Sequence, residues 1–322
     1  MMIQEEKIPT KESIEQAHQR IEPHIHRTPI MSSEQINNIL DCEIYFKCEN
    51  FQKVGAFKTR GAVNAVFSLD DSQLKNGVCT HSSGNHAQAL ARAANLKGIP
   101  AYIVMPENAP KVKVNAVRDY GGIIHFCGNS LESRESTLAH IMKDTDAQLI
   151  HPYDNYKIIE GQATAAKEIL EDCNNLDFII APVGGGGLLA GTALANHYFG
   201  QDTKLIAAEP KNADDAFRSF QAGHIIPSIE PNTIADGLLT SVGERNFPII
   251  QQHVEAILTT EEETIKKAMR LIWERMKIIV EPSAAVPLAI IMENPGKFKG
   301  KKLALILSGG NIDLSSIQKN LF

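Results

Sequence analysis

The sequence predicts an α/β fold, because short apolar segments alternate with amphipathic segments along almost the whole chain. Seven runs rich in β-branched or apolar residues are typical of buried parallel strands: 43–47, 78–80, 101–105, 123–126, 178–182, 205–208 and 303–307. Stretches with helical periodicity lie between several of them: 86–96, 161–170 and 261–276. We expect helices on both sheet faces, and two compact blocks separated by a cleft, one near 78–150 and one from 178 onward. Ligands of such sheets bind beyond the carboxyl ends of the strands.

The composition is that of an ordinary globular protein. Of the 322 residues, 43% are hydrophobic and 22% are charged, and the formal charge is −6 with both signs interspersed. This balance gives no reason to expect nucleic acid or an anionic membrane as a partner. No apolar run reaches the roughly 18 residues of a membrane span, and the polar, acidic N-terminus is unlike a signal peptide. The five cysteines, scattered and without CxxC spacing, are typical of reduced core thiols in a cytoplasmic protein: Cys42, Cys48, Cys79, Cys127 and Cys173.

Four consecutive glycines follow one of the predicted strands: Gly184, Gly185, Gly186 and Gly187. Glycine adopts positive φ without strain, so several backbone N–H groups can point into one concavity. The next segment, LLAGTALANHYF, reads as a helix, and the N-terminus of a helix attracts anions. The loop therefore predicts a phosphate-binding site.

The residues alone leave the kind of phosphate open. Gly185, Gly187 and Ala190 fit the pattern G-x-G-x-x-A, and Glu209 ends the next strand, where a ribose-binding acid would lie. An oxidoreductase that binds NAD or FAD is therefore one alternative. A nucleotide triphosphate site is disfavoured, because no G-x-x-x-x-G-K-[ST] run is present.

Three other segments place reactive or polar side chains beside predicted strand ends. Lys58 follows Phe57 at a predicted helix start, where partial desolvation would lower its pKa and free the amine for Schiff-base chemistry. The segment HSSGNHAQ, at 81–88, offers hydroxyl, amide and N–H donors suited to a carboxylate. The segment SGGN, at 308–311, follows the apolar strand LALIL. A solvated lysine and a plain helix cap stay open as alternatives for the first two segments.

Six segments in fixed order resemble a known enzyme family: FKCENFQKVGAFKTRGA, SSGNHAQAL, PVGGGGLLAG, AAEPKNADD, WERMKIIVEP and LSGGN. They are similar to the serine/threonine dehydratase family of fold-type II pyridoxal 5′-phosphate (PLP) enzymes, and within it to the eukaryotic serine racemases. The resemblance implies a tryptophan synthase β-like fold, with two open, twisted, mostly parallel sheets flanked by helices. It also implies a large PLP-binding domain at 1–77 and 153–322 and a small mobile domain at 78–152.

The same resemblance implies an amino-acid racemase and ammonia-lyase. We expect conversion of L-serine to D-serine, together with β-elimination of serine to pyruvate and ammonia. A dehydratase of L-threonine or threo-3-hydroxyaspartate is the alternative within the family.

By resemblance, Lys58 would hold PLP as a Schiff base, Phe57 would pack near the pyridine ring and Asn85 would bond the ring hydroxyl. The phosphate would lie against the four glycines and Leu188, and Ser308 would meet the pyridine nitrogen. A serine hydroxyl does not favour a protonated ring, so the cofactor would be a weaker electron sink than one facing a carboxylate.

Two groups would move protons at the substrate, Lys58 on one face of Cα and Ser83 on the other. The substrate positions implied by resemblance are Ser82, Ser83, Gly84, His86 and Arg134. Arg134 would approach a second carboxylate, as in 3-hydroxyaspartate; a surface arginine with contacts along its own helix is the alternative.

A divalent cation, Mg²⁺, Ca²⁺ or Mn²⁺, is implied at Glu209, the carbonyl of Ala213 and Asp215, which are hard oxygen ligands. ATP is implied as an allosteric effector between the subunits of a homodimer, at Ser32, Ser33, Lys53, Gln88 and Tyr120. The sequence departs from the family pattern at Thr59 and at 241–246 (SVGERN), and the second segment borders the active site in relatives.

Overall fold

Two separate β-sheets organise the computed structural model, which describes residues 7–314. The strands are β1 Ile30–Ser32, β2 Glu43–Cys48, β3 Val78–His81, β4 Ala101–Pro106, β5 Ile123–Cys127, β6 Gln148–Leu149, β7 Phe178–Pro182, β8 Lys204–Pro210, β9 Ala256–Thr260 and β10 Lys302–Leu307. The helices are α1 Lys11–Ile21, α2 Glu34–Leu40, α3 Lys58–Phe67, α4 Asp71–Leu74, α5 Asn85–Lys97, α6 Lys111–Asp119, α7 Leu131–Thr145, α8 Tyr156–Asp172, α9 Gly187–Phe199, α10 Asp215–Ala222, α11 Asn246–His253, α12 Glu262–Met276, α13 Pro282–Glu293 and α14 Pro295–Phe298.

The larger sheet has the strand order β1-β2-β10-β7-β8-β9, and the smaller has the order β5-β4-β3-β6. Among the strand pairs within residues 7–314, β1–β2 alone is antiparallel. In the centre of the larger sheet, Leu305 of β10 pairs with Phe46 on one side and Ile180 on the other. The predicted fold class, two mostly parallel sheets flanked by helices, is confirmed.

The central strand β10 is apolar from Leu303 to Leu307 because helices cover both of its faces. Leu305 and Leu307 pack into one buried cluster with side chains of α12 and α13. Ala304 and Ile306 pack on the other face, with side chains of α8 and α9. Alternate residues of β10 thus pack into two different cores, because successive side chains of a strand point to opposite faces of the sheet.

All seven predicted strands are present, but three short or polar ones were not predicted: β1, β6 and β9. Helix α8 also begins earlier than the predicted segment 161–170. The reason is Asn155, whose side chain accepts hydrogen bonds from the N–H groups of Lys157 and Ile158 and so caps the helix.

The smaller sheet comprises strands between residues 78 and 149, within the predicted block. It shares an apolar cluster with elements outside that block, since Val63 of α3 and Ile158 of α8 pack with Leu90 of α5 and Ile103 of β4. Whether this block moves as a domain stays a prediction.

A cluster of four charged side chains lies fully buried beside α3. Arg60 donates to Glu49 through Nε and Nη2 at 2.8 Å each, and to Glu168 through Nη1 and Nη2 at 2.7 and 2.8 Å. Its remaining N–H donates to the hydroxyl of Thr164 at 3.0 Å. Lys47 donates to Glu168 at 2.5 Å and to a backbone carbonyl. The formal charges of the four side chains sum to zero, and all five guanidinium N–H groups have acceptors.

Helices α3 and α8 touch closely because glycines face each other where they cross. A Cβ on Gly161 would lie 2.5 Å from the carbonyl oxygen of Arg60 and 2.6 Å from the Cα of Gly61. Any side chain there would push α8 away from α3.

As predicted, the five cysteines are buried and unpaired. No helix within residues 7–314 combines the length and hydropathy that crossing a bilayer requires.

We expect the substitution Arg60→Met to lower the free energy of unfolding by about 3–5 kcal/mol, because it leaves buried carboxylates without a counter-charge. Urea unfolding followed by circular dichroism measures the change. The control is Glu255→Ala, which removes the exposed ion pair between Glu255 and Lys204 (2.9 Å) and should cost less than about 1 kcal/mol. Equal effects of the two substitutions would show that the buried cluster does not stabilise the fold.

Candidate active site

Lys58 is the first residue of α3 and lies where the two sheets meet. Its half-buried side chain donates from Nζ to the carbonyl of Pro152 at 2.8 Å, and Nζ lies 5.1 Å from the centre of the Phe57 ring. The N–H of Phe57 donates to the carbonyl of Ser308 at 3.0 Å, and Ala56 forms a bridge with the residue after Ser308. These contacts tie the start of α3 to the carboxyl end of β10.

Burial lowers the pKa of Lys58 from the ordinary 10.5 to about 8, and the nearby carboxylate of Glu281 opposes that shift. A lysine with such a pKa has a substantial neutral fraction in mildly alkaline solution, and the neutral amine is the form that attacks a carbonyl. The site therefore favours Schiff-base chemistry.

Glu281 precedes α13 and lies buried beside this amine. Asn85 donates from Nδ2 to both of its carboxylate oxygens, at 2.9 and 3.3 Å. Asn311 donates from Nδ2 to Oδ1 of Asn85 at 2.9 Å. Burial raises the pKa of Glu281 to about 8, and Asp236 adds to the shift.

The glycine loop presents free backbone donors. Among residues 7–314, no acceptor meets the N–H groups of Gly184, Gly185, Gly186, Gly187 or Leu188. Gly186 has a φ of +90°, which the turn into α9 requires. Unpaired, buried N–H groups at a helix N-terminus fit a phosphate.

Side chains from two other segments shape this loop. A Cβ on Gly185 would overlap the ring of Tyr153. The carbonyl of Gly185 accepts from the N–H of Gly243 at 3.1 Å and from Nδ2 of Asn246 at 2.6 Å. The segment 241–246, where the sequence departs from the family pattern, thus packs directly on the loop.

The described residues therefore fit PLP. Free N–H donors suit its phosphate, a lysine with a lowered pKa suits its aldehyde, and an asparagine amide and the hydroxyl of Ser308 lie nearby. The structure brings together Phe57, Lys58, Asn85 and Ser308, through the contacts given above. Tyr153 adjoins Pro152 and so brings the glycine loop to the same place.

The segment SSGN joins β3 to α5 at the same edge. The N–H of Ser82 donates to the carbonyl of Val104 at 3.1 Å, and the N–H of Gly84 reaches the hydroxyl of Ser82 at 3.4 Å. The hydroxyl of Ser83 has no partner among residues 7–314. A Cβ on Gly84 would meet no other atom within 4 Å, so the space on that side of the loop is open.

The ring of His86 bonds to the backbone, and the substrate contact that the resemblance implies for this residue stays a prediction. Its ring is buried, and its Nε2 lies 3.1 Å from the carbonyl of Ile150, so Nε2 carries the proton and donates. Burial and then the charge of Lys58 lower its pKa to about 3. Nδ1 of the neutral ring has no N–H, and cannot donate to a carboxylate.

Asn246 lies in the segment 241–246, which was expected to border the site, but two other residues of the site, Tyr153 and His151, were not found from the sequence. Nδ1 of His151 accepts from the N–H of Asp154 at 2.8 Å, and burial lowers the pKa of His151 to about 4. Nothing in the local sequence marked them, because their roles arise from packing between distant segments. Glu281 was not identified as a site residue either, although it lies within the segment WERMKIIVEP.

Arg134 lies on α7 near the carboxyl end of β3. Its Nη2 donates to the carbonyl of Asn129 at 3.1 Å, while its Nε is buried without a hydrogen-bond partner. Burial lowers the pKa of His81, and the charge of Arg134 contributes to that shift. The guanidinium is therefore close to the residue that precedes Ser82.

Glu209 lies near the end of β8, Asp215 begins α10, and both side chains are buried. The oxygens of Glu209 accept from the N–H groups of Ala216 and Phe217, at 2.8 Å each. Oδ1 of Asp215 is buried without a hydrogen-bond partner. Burial raises the pKa of Glu209 to about 9 and that of Asp215 to about 6.

These residues fit a divalent cation. Oδ1 of Asp215, which has no hydrogen-bond partner, lies near the carboxylate of Glu209, and Ala213, between the two in sequence, is also buried. Among residues 7–314 no group of three or more His, Cys, Asp or Glu side chains could hold a metal ion. A cation here would take carbonyl and water oxygens to complete its ligand set.

The dinucleotide alternative is wrong. It requires Glu209 to face the ribose of a nucleotide. Glu209 is 1% exposed, so a ribose cannot reach its carboxylate, whereas a single metal ion is small enough to lie beside it.

The predicted nucleotide positions lie on several elements. Ser32 ends β1, Ser33 caps α2, Lys53 lies in a turn at Lys53–Gly55 that packs on α5, Gln88 is buried in α5 and Tyr120 ends α6. No hydrogen bond or ion pair joins any two of them in the part of the chain that the structure describes. The nucleotide site stays a prediction.

Known proteins resemble the chain over nearly its full length. The family described as pyridoxal-phosphate dependent enzyme matches residues 21–309. The chain is 50% identical over 316 residues to a serine racemase of Dictyostelium discoideum, covering 97% of this chain and 98% of the relative. It is 49% identical over 313 residues to a beta-hydroxyaspartate dehydratase of Paracoccus denitrificans (strain Pd 1222), covering 97% and 99%.

A solved structure agrees with these relatives. The crystal structure of serine racemase from Dictyostelium discoideum matches with a TM-score of 0.90 at 50% identity, covering 95% of this chain and 99% of that chain. The family match covers most of the chain, and the fold and the position of Lys58 are consistent with it. The chain therefore belongs to the family of pyridoxal-phosphate dependent enzymes.

Proposed function

We propose that the chain is a PLP-dependent serine racemase that also dehydrates L-serine to pyruvate and ammonia. The observation that carries the proposal is Lys58, whose amine has a lowered pKa and lies between the carbonyl of Pro152 and the Asn85–Glu281 pair. The relative at 50% identity, a serine racemase, supports the choice of substrate.

Each cofactor contact uses a group that the structure leaves available. Lys58 would hold the aldehyde, Phe57 would pack on the ring, and Asn85 and Ser308 would meet the ring oxygen and nitrogen. The phosphate would lie on the N–H groups of the four glycines and of Leu188. When bound, PLP withdraws electrons from Cα of the substrate and so weakens its C–H bond.

The proton transfers are assigned to two side chains. Lys58 takes or returns the proton on one face of Cα, and the hydroxyl of Ser83 serves the other face. The free hydroxyl of Ser83 supports this assignment, with Ser82 and Gly84 completing the carboxylate site. Racemisation needs both faces, whereas elimination needs one proton abstraction and departure of the β-hydroxyl.

A second candidate function is dehydration of threo-3-hydroxyaspartate. Arg134 supports it, because its Nε is buried and unpaired and a guanidinium binds a second carboxylate well. The relative at 49% identity is a beta-hydroxyaspartate dehydratase. L-Threonine, which lacks that carboxylate, is the comparison substrate.

The remaining assignments are also proposals. We assign Mg²⁺, Ca²⁺ or Mn²⁺ to Glu209, Asp215 and the carbonyl of Ala213, supported by the orphaned oxygen of Asp215. A homodimer, ATP as effector and movement of the block at 78–152 rest on the family resemblance. A cytoplasmic location is supported by the five buried, unpaired cysteines.

In the apoprotein, acetic anhydride should label Lys58 with a pH midpoint near 8, because burial lowers its pKa to that value. Peptide mass spectrometry measures the labelled fraction, with Nα-acetyl-lysine in the same solution as the standard for an ordinary amine. In Glu281→Gln the midpoint should fall further, since the carboxylate that opposes the shift is removed. A midpoint equal to that of the standard would contradict the assignment of Lys58 as the activated amine.

Incubation with L-serine should yield D-serine and pyruvate, measured by chiral chromatography and a coupled dehydrogenase assay. Ser83→Ala should reduce racemisation by roughly a hundredfold or more, in the range of a lost acid–base group, and should reduce L-serine elimination less. Ser136→Ala, an exposed serine on α7, is the control and should change neither rate. Equal loss of both activities in Ser83→Ala would overturn the two-face assignment. Parallel assays with L-threonine and threo-3-hydroxyaspartate identify the preferred substrate.

A divalent cation should raise the unfolding temperature of the wild-type protein by a few degrees, because it binds the folded state alone. Differential scanning fluorimetry with Mg²⁺, Ca²⁺ or Mn²⁺ measures the rise, which Asp215→Asn should abolish. The matched control is Asp214→Asn, which alters the neighbouring carboxylate that pairs with Arg218 and should leave the rise intact. A cation-induced rise that survives Asp215→Asn would exclude this site.

A further inference from the structure

Asn85 is held on both sides of its amide by side chains to which no role has been assigned. Its Nδ2 donates to the carboxylate of Glu281 at 2.9 and 3.3 Å, and its Oδ1 accepts from Asn311 at 2.9 Å. The backbone N–H of Asn311 also donates to the carboxylate of Glu281. The three side chains thus form a closed hydrogen-bonded group.

The group has a defined polarity. An asparagine amide can be turned by 180° so that oxygen and nitrogen exchange places, and its partners decide the orientation. Nδ2 of Asn311 faces the carbonyl of Val54 at 2.7 Å, and a carbonyl only accepts. Asn311 must therefore present N–H groups to Asn85, which must in turn present its oxygen to Asn311 and its nitrogen to Glu281.

One of the two side-chain N–H groups of Asn85 is not used by these hydrogen bonds. The two oxygens of one carboxylate lie on the same side of Nδ2, so they share one of its two N–H groups. The second N–H has no acceptor among residues 7–314. Glu281 itself is packed against the loop after β10, since a Cβ on Gly309 would lie 2.5 Å from its Oε1. Because Glu281 also lies close enough to Lys58 to affect its pKa, the amide of Asn85 is close to the Lys58 amine.

We propose that Glu281 and Asn311 are positioning residues, which fix the amide of Asn85 so that it offers an N–H donor to the ring oxygen of PLP. Without them, the amide turns freely and presents its oxygen about as often as its nitrogen. An oxygen facing the deprotonated ring oxygen is repulsive, so the loss appears as weaker cofactor binding. This inference rests on the proposed function, because it needs PLP at Lys58.

The test is a double-mutant cycle on the PLP dissociation constant, measured by titrating the apoprotein with PLP and following the visible absorbance of the bound cofactor. Asn85→Ala and Glu281→Ala should each weaken binding by about tenfold, the size of one lost hydrogen bond of about 1.4 kcal/mol. The double variant should bind no more weakly than Asn85→Ala alone, because Glu281 acts through Asn85. Losses that multiply in the double variant would overturn the inference.

Conservative variants separate orientation from packing. Glu281→Gln keeps an oxygen that can accept from Asn85 and should keep PLP affinity within about threefold. Asn311→Asp keeps the size but replaces the donor by an acceptor, so it should weaken PLP binding as much as Asn311→Ala does. PLP affinity that follows side-chain size, with Asn311→Asp like the wild type, would refute the orienting role.

The chain offers a matched control in a second buried asparagine–glutamate pair, Asn64 and Glu160, whose atoms Nδ2 and Oε2 lie 3.2 Å apart on α3 and α8. Glu160→Ala should lower the unfolding temperature of the apoprotein and leave the PLP dissociation constant unchanged. If the wild-type protein fails to bind PLP, the proposed function itself is wrong. If the wild type binds PLP and Glu281→Ala binds it equally well, only the positioning role is wrong.

Discussion

The buried guanidinium of Arg60 joins the segments on which the site depends. It lies two residues after Lys58 in α3, and it bonds Glu49 at the end of β2 and Glu168 in α8. Helix α8 begins shortly after Pro152, whose carbonyl receives the amine of Lys58. The backbone that carries the lysine and the backbone that receives its amine are thus held by the same ion cluster, and the contact of Gly161 with α3 fixes their separation.

Such a cluster is stabilising only when it is complete. Burying an ion costs several kcal/mol, and the mutual attraction of opposite charges offsets that cost only with good geometry and full hydrogen bonding. Arg60 meets this condition, because each of its N–H groups has an acceptor and the charges balance. The same condition makes the arrangement specific, since a shift of α8 relative to α3 would break several bonds at once.

The sequence predicted those features that depend on local pattern. Apolar runs identified seven strands, and the segments at Asn85, Gly185 and Ser308 were placed directly after strands, where the ligands of such sheets bind. Features that depend on distant partners were not predictable. The motif around Glu209 fitted a ribose-binding acid as well as a metal ligand, and only its burial against the start of α10 decides between them. Tyr153 likewise carries no local signal for its contact with the glycine loop.

Burial acts in opposite directions on the two ionisable groups that flank Asn85. It lowers the pKa of the Lys58 amine and raises the pKa of the Glu281 carboxyl, and both values lie near 8. Each shift favours the neutral form, because a low-dielectric site penalises either charge. A neutral amine can attack an aldehyde, so burial favours the reactive form of Lys58. The same desolvation thus prepares the nucleophile, while Glu281 still accepts from Asn85 when it is protonated, because a carboxyl group keeps a carbonyl oxygen that accepts.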